Sequence, residues 1–251
     1  MLKSWLKPER QNPGVYILIL LLTCTITTAA DSLGRKIMEK NNTLKKAVSL
    51  YNQSVMVIIN GPIKEFKEFT LVTKTSGQQT RARFSFTKPV EMEIISWSQP
   101  GQPTRQWLKL GAGKFQEIAS SDLKTSFIGS HFYNDDIADQ YIDDYEYSYL
   151  GEETIKETPC YKVEARKNDG IRIYEKKIIY LRQSDYFIIQ IDYYEKKGYT
   201  KTLTMDQIKT IDGIISAQKI SMTKKESTNK TLVYLKDIKY NKPVSDKVFN
   251  P

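Results

Sequence analysis

The chain has 251 residues, 40% hydrophobic and 27% charged, which suits one sizeable domain with its own core and excludes wholesale disorder. Gly (12) and Pro (9) are scarce, so collagen-like and low-complexity classes are excluded. One histidine and two cysteines cannot build a Cys/His zinc site, a haem site or an iron–sulfur site, a Ser-His-Asp triad could draw only on His131, and the net charge of +9 reads as a scattered basic surface.

The N-terminus carries Lys3, Lys7 and Arg10, then an apolar run from Val15 to Leu22, then small and hydroxyl residues up to Ala30. That order predicts a secretory signal peptide over residues 1–30, cleaved before Asp31. The run is short for a membrane-spanning helix, which needs about 20 apolar residues. Two rival readings are an uncleaved anchor over residues 15–30 and lipidation at Cys24, where Leu21-Leu22-Thr23-Cys24 loosely resembles a lipobox. The remainder, 31–251, reads as a single domain. It keeps only Cys160, so its core must hold it together without an internal disulfide.

Leu33, Ile37 and Met38 at helical spacing, behind Asp31 or Ser32 as cap, predict a short helix over 31–40 that ends at Asn41-Asn42. Period-two alternation then takes over. Val55, Val57 and Ile59 run into a turn at Asn60-Gly61-Pro62, and Phe69 and Leu71 follow. Arg81, Arg83 and Ser85 alternate with Ala82, Phe84 and Phe86, and Met92 and Ile94 continue the pattern. Pro100-Gly101-Gln102-Pro103 turns the chain into Arg105–Leu110, and Gly111-Ala112-Gly113 turns it again before Phe115–Ile118. From Ser120 to Asp139 the alternation stops, which predicts short helical turns and loop. Seven strands follow at short intervals: Tyr145–Leu150, Cys160–Ala165, Ile171–Leu181, Tyr186–Tyr194, Thr200–Ile208, Ile214–Thr223 and Thr231–Tyr240. Their turns fall at Asp169-Gly170, Lys197-Gly198 and Asp212-Gly213. Such short links forbid parallel crossovers, so the sheet is antiparallel. A sheet of so many strands must curl. Its concave face could be an apolar container or a filled barrel, and alternation fits both.

Arg105-Gln106-Trp107-Leu108-Lys109-Leu110, then Ile118-Ala119-Ser120-Ser121-Asp122, then Ser126-Phe127-Ile128-Gly129-Ser130-His131-Phe132, then Asn134-Asp135-Asp136, resemble the bacterial outer-membrane lipoprotein-sorting protein family. Thr158-Pro159-Cys160-Tyr161, Ile211-Asp212-Gly213 and the ending Asp246-Lys247-Val248-Phe249 are similar to that family's habit, and the likeness runs from Leu33 to Phe249. It implies a mainly β fold: a LolA/LolB-like incomplete antiparallel β-barrel, with a few short helices as a lid over a concave apolar face. It also implies a periplasmic carrier of lipoprotein acyl chains or related lipids, moving them toward the outer membrane of a Gram-negative-type bacterium. The implied partners are an inner-membrane transporter of ABC or RND type and an outer-membrane receptor, with the carrier itself a monomer. An accessory subunit of an RND-type exporter and a non-catalytic docking protein with a filled barrel are the alternatives.

On this reading Phe127, Ile128 and Phe132 are lid residues, and Phe84, Phe86, Met92, Ile94, Leu108 and Leu110 line the concave face. Ordinary core packing would account for the same residues. Ser126, Gly129 and Ser130 shape the turn, and Gly129 permits a positive φ. Asp135 and Asp136 cap the helical turn that follows them and, with Asp139, Asp143 and Asp144, form a solvated acidic face, since the spacing of an EF-hand is absent. His131 is structural and Cys160 a buried, inert thiol. No catalytic residue, metal or cofactor is expected, nor a nucleic-acid partner, because no basic stripe with interleaved aromatics occurs.

Overall fold

A computed structural model describes residues 31–118, 124–138, 140–168 and 173–251. The expected signal peptide with its anchor and Cys24 alternatives, the Ser120-Ser121-Asp122 string, Asp139 and the Asp169-Gly170 turn lie outside the described residues. Among the described residues one α-helix, α1 (31–42), is followed by β1 (Ser49–Asn60), β2 (Ile63–Ser76), β3 (Gln79–Lys88), β4 (Met92–Ser98), β5 (Arg105–Leu110) and β6 (Gln116–Ile118). After the interruption come β7 (Tyr145–Ile155), β8 (Thr158–Lys167), β9 (Lys176–Arg182), β10 (Ile188–Glu195), β11 (Gly198–Ile211), β12 (Ile214–Lys224) and β13 (Lys230–Tyr240).

All thirteen strands form one sheet in the order β6-β5-β4-β3-β2-β1-β13-β12-β11-β10-β9-β8-β7, each antiparallel to its neighbour. The fold is therefore a mainly β, open antiparallel sheet, not closed into a barrel. Two meanders, β1–β6 and β7–β13, meet along the β1–β13 seam. The free edges β6 and β7 are consecutive in the chain, so the segment between them must pass from one edge of the sheet to the other.

Several strand ends shift by one to three residues from the sequence expectation, and two shift further. β7 runs on to Ile155, because a bulge around Leu150 with Gly151 at φ 111 lets pairing with β8 continue. β9 starts only at Lys176. Helix α1 lays Ile37 and Met38 against Tyr145, Tyr147, Val163, Ala165, Ile179 and Leu181 of β7–β9. It comes close because position 34 is glycine: a Cβ there would lie 2.8 Å from Ser148 C and Tyr149 N of the β7 backbone. Arg35 secures its outer side, donating to Glu39 Oε1 at 3.0 Å and Asp143 Oδ1 at 2.6 Å.

At the other end of the chain a 3-10 turn, Asp246–Phe249, packs onto β2–β4. Phe249 is completely buried. Trp97 Nε1–H donates to Phe249 O at 3.0 Å, the Arg83 guanidinium donates to Val248 O at 2.8 Å, and Lys74 Nζ donates to Asp246 Oδ1 at 3.0 Å. Lys74 holds the Asp246 carboxyl below the usual carboxylate range. Cys160 lies buried among Ile178, Tyr180 and Ile189, where burial pushes its thiol pKa up and keeps it protonated.

Candidate functional site

The segment between the sheet edges folds into a small two-legged loop over residues 124–138, here called the plug. Ser126 and Tyr133 form an antiparallel bridge, Phe127 N–H donates to Phe132 O at 2.8 Å, and Asn134 N–H donates to Thr125 O at 3.0 Å. Its tip is held by Ser126 Oγ–H donating to Ser130 O at 2.5 Å and Ser130 N–H donating to Phe127 O at 2.9 Å. Ile128 (φ 46) and Gly129 (φ 78) are both left-handed. Glycine takes this conformation freely, but a β-branched residue there stores about 1–3 kcal/mol of strain.

Eight of the nine residues singled out from the sequence converge here. Phe86, Ile94, Phe127 and Phe132 are buried in one cluster with Met56, Ile58, Phe69, Leu203 and Met222, and Phe84, Met92, Leu108 and Ile128 pack at its margin. Phe127 is the centre of the aromatic contacts, its ring 5.4 Å from Phe84 edge-on and 6.4 Å from Phe86. Leu110 is the exception. It is in phase with Leu108 but is the last residue of β5, takes no part in the cluster, and is 59% exposed. The cover over the concave face is thus α1 on β7–β9 and, elsewhere, the plug with its two short 3-10 turns, Phe127–Gly129 and Asn134–Asp136.

The expected solvated acidic face is corrected at Asp136. The plug turns this residue inward, to 1% side-chain exposure, where it pairs with Lys201 of β11 (3% exposed) at 2.6 Å. Asp136 Oδ2 accepts from Lys201 Nζ and from Tyr133 N–H at 2.7 Å, so Asp136 closes its own turn rather than capping the following one, and its Oδ1 accepts from Tyr174 OH at 2.7 Å. Lys201 also donates to His131 O at 3.2 Å, and its ammonium stands 3.6 Å from the Tyr133 ring centre. Burial pulls the Lys201 ammonium below the ordinary lysine range, while Asp136 acts to raise it. Asp143, by contrast, is exposed and serves Arg35.

His131 sits beside this pair. Its backbone N–H donates to Thr231 Oγ1 at 3.0 Å and its Nδ1 lies 2.8 Å from the same hydroxyl. Burial, then Lys224 and Lys201, lower its pKa, so the ring is held neutral. Between the plug and the turns at the ends of β10, β11 and β12 lies a cavity of about 410 Å³, lined by Ser130, His131, Tyr133, Glu195, Lys201 and Lys224 among others. That volume is within the range of small-ligand sites. Among the described residues no group of three or more His, Cys, Asp and Glu side chains could hold a metal ion.

A second interior cation, Lys177 of β9, donates to Gln140 Oε1 at 2.9 Å and Tyr145 OH at 3.0 Å, and faces the rings of Tyr145, Tyr174 and Tyr193. Burial pushes its pKa down to about 8, from 10.5. Between those two values the unfolded chain binds more protons than the folded one, so stability rises with pH across that window. We expect a gain on the order of 3 kcal/mol from pH 7 upward, lost in Lys177→Met, which is more stable than the parent at pH 7. Urea unfolding from pH 7 to 10 checks this. The buried tyrosines, whose pKa values are raised, lower stability only as pH passes the unfolded tyrosine value of about 10. A stability curve equally flat in both proteins would refute the assignment.

Sequence reasoning missed Lys177, Lys201, Tyr174 and Tyr193. The signal was strand phase: Lys177 alternates with Ile179 and Leu181, and Lys201 with Leu203, so both lysines had to point inward.

A protein-family model described as "Uncharacterized protein" matches residues 78–251. No curated protein matches the chain. The structure superposes on a DUF1329 family protein from Desulfovibrio piger with a TM-score of 0.83, at 23% identity, covering 88% of this chain and 97% of that one. It superposes on a domain described as an outer membrane lipoprotein-sorting protein domain, from Vibrio parahaemolyticus, with a TM-score of 0.82 at 21% identity, covering 88% and 97%. With a LolA superfamily protein from Nitrosomonas europaea the TM-score is 0.67 at 18% identity, covering 87% and 97%. At these identities the likeness is one of fold.

Proposed function

We propose that this chain, which belongs to the protein family matched over residues 78–251 and has the LolA-superfamily fold, is a non-catalytic lipid carrier of the bacterial envelope. The observation that carries the reading is the plug. The concave apolar face of the open sheet is covered by a strained loop that is held to the sheet by side-chain contacts and not by strand pairing. An acyl chain in water costs about 0.8 kcal/mol per CH₂. The wall of Phe69, Phe84, Phe86, Met92, Ile94 and Leu108 offsets that cost once Phe127 and Phe132 withdraw. The plug fills the face when no cargo is present, so cargo binding and plug displacement are one exchange.

On this proposal residues 1–30 are a signal peptide and 31–251 one carrier domain in the periplasm. It accepts acyl chains or related lipids from an inner-membrane transporter and yields them toward the outer membrane.

The test is native mass spectrometry of protein purified without detergent, followed by titration with a fluorescent fatty acid. A co-purifying acyl species, or binding of the probe, is the expected result. Phe127→Ala weakens the closed state and tightens probe binding by about tenfold or more. A protein that is empty and ignores the probe overturns the carrier reading. Probe binding unchanged in Phe127→Ala overturns the role of the plug.

A further inference from the structure

The carrier reading leaves open what kind of lipid the site takes, and the buried ion pair narrows it. Lys201 is fixed on β11, inside the sheet, and stays there whatever the plug does. Its one ion-pair partner among the described residues is Asp136, and Asp136 belongs to the plug. Withdrawal of the plug therefore takes away the ion-pair partner of Lys201 and leaves the cation behind. Breaking a buried pair by removing one partner is heavily penalised, because the remaining charge is neither hydrated nor paired. A hydrocarbon tail can replace Phe127 and Phe132 but does nothing for Lys201.

Resting on the carrier reading, we propose that the cargo which displaces the plug is an amphiphile with an anionic head, a carboxylate or a phosphate, that takes the place of Asp136 on Lys201. The cavity beside the pair supports this. It is lined by Lys201 and Lys224, so a head group entering there meets two ammonium groups. The one carboxylate on its wall, Glu195, accepts from Lys124 Nζ at 2.5 Å and from Tyr133 OH at 3.3 Å; both donors belong to the plug, so withdrawal frees Glu195 as well, and the wall then sets two ammonium groups against one carboxylate, a surplus cation for the head group to meet. The head would then lie at Lys201 while the tail follows the space of Phe132 and Phe127 toward Phe69, Phe84 and Phe86, all members of one contiguous cluster. The ammonium would act as a gauge of the head group: a neutral lipid opens the same face without replacing the Asp136 carboxylate.

Isothermal titration of the purified chain with palmitate, hexadecyl phosphate and hexadecanol, three heads on one tail, tests this. Palmitate, hexadecyl phosphate or both are expected to bind about tenfold or more tighter than hexadecanol, and the tighter of the two names the head group. In Lys201→Met the preference for the anion disappears. Because that variant strands Asp136 and could fail to fold, the double variant Lys201→Met/Asp136→Asn, which removes both charges, is measured beside it with the same expectation. If wild-type protein binds all three alike, the head-group proposal falls and the carrier reading stands. Survival of the anion preference in the double variant also overturns it, since the head is then read elsewhere. If none of the three binds, the carrier reading itself fails and this proposal with it.

Discussion

Asp136→Ala will destabilise the protein by about 3–5 kcal/mol in urea unfolding, more than most single substitutions. The change removes the counter-ion of a lysine that is 3% exposed, and it also strips Tyr174 OH and Tyr133 N–H of their acceptor. Lys201→Met is expected to cost a similar amount for the mirror reason, a buried carboxylate left without its cation. The double variant Asp136→Ala/Lys201→Met should recover much of the loss, because replacing a whole buried pair is far cheaper than halving it. The cycle of four proteins, followed by the emission of Trp97 and Trp107, checks this. A cost below about 1 kcal/mol for either single variant would place the pair in solvent, in the range of surface ion pairs.

Phe249→Ala is the second substitution with a large expected effect, about 3–5 kcal/mol, the usual range for truncating a buried aromatic residue. Phe249 is 0% exposed although it stands two residues from the end of the chain. Its backbone is held as firmly as its ring, since Trp97 Nε1–H and the Arg83 guanidinium both donate to carbonyls of the same turn. The loss should therefore appear together with a change in the surroundings of Trp97, read as a red-shifted emission in the native state. An Asp246→Asn control removes only exposed pairing with Lys74 and Arg81 and should stay within about 0.5 kcal/mol of the parent. If Phe249→Ala were equally mild, the tail would be dispensable to β2–β4.

Much of this architecture was legible in period-two alternation. Strand β5 was placed at Arg105–Leu110 because Trp107 is flanked by clear turn residues, and the break after Ile118 was visible because alternation stops there. The fold family was legible only through the motif around Phe127 to Asp136. What alternation could not convey was which face a polar residue takes. Asp136 reads as one more acid in a run that includes Asp135, Asp143 and Asp144, and only the inward course of the plug separates it from Asp143. Leu110 shows the opposite: its phase matches Leu108, yet it ends its strand and lies 59% exposed. Phe249 was recognised as part of a characteristic ending, but a residue so close to the terminus carries no sequence mark of the surface it covers.

The order of strands also bears on how the molecule assembles. Within each meander every pairing is a hairpin between neighbours in sequence, so both can form quickly from local contacts. The β1–β13 seam is different: it pairs Ile59 with Lys230 and Leu50 with Tyr240, and nearly the whole chain must loop round to close it. Loop-closure entropy therefore predicts that this seam closes late in folding, after the hairpins. Until it happens, β1 and β13 are exposed edges in the middle of what will be the sheet, and a nascent chain is most vulnerable there to pairing with a neighbour.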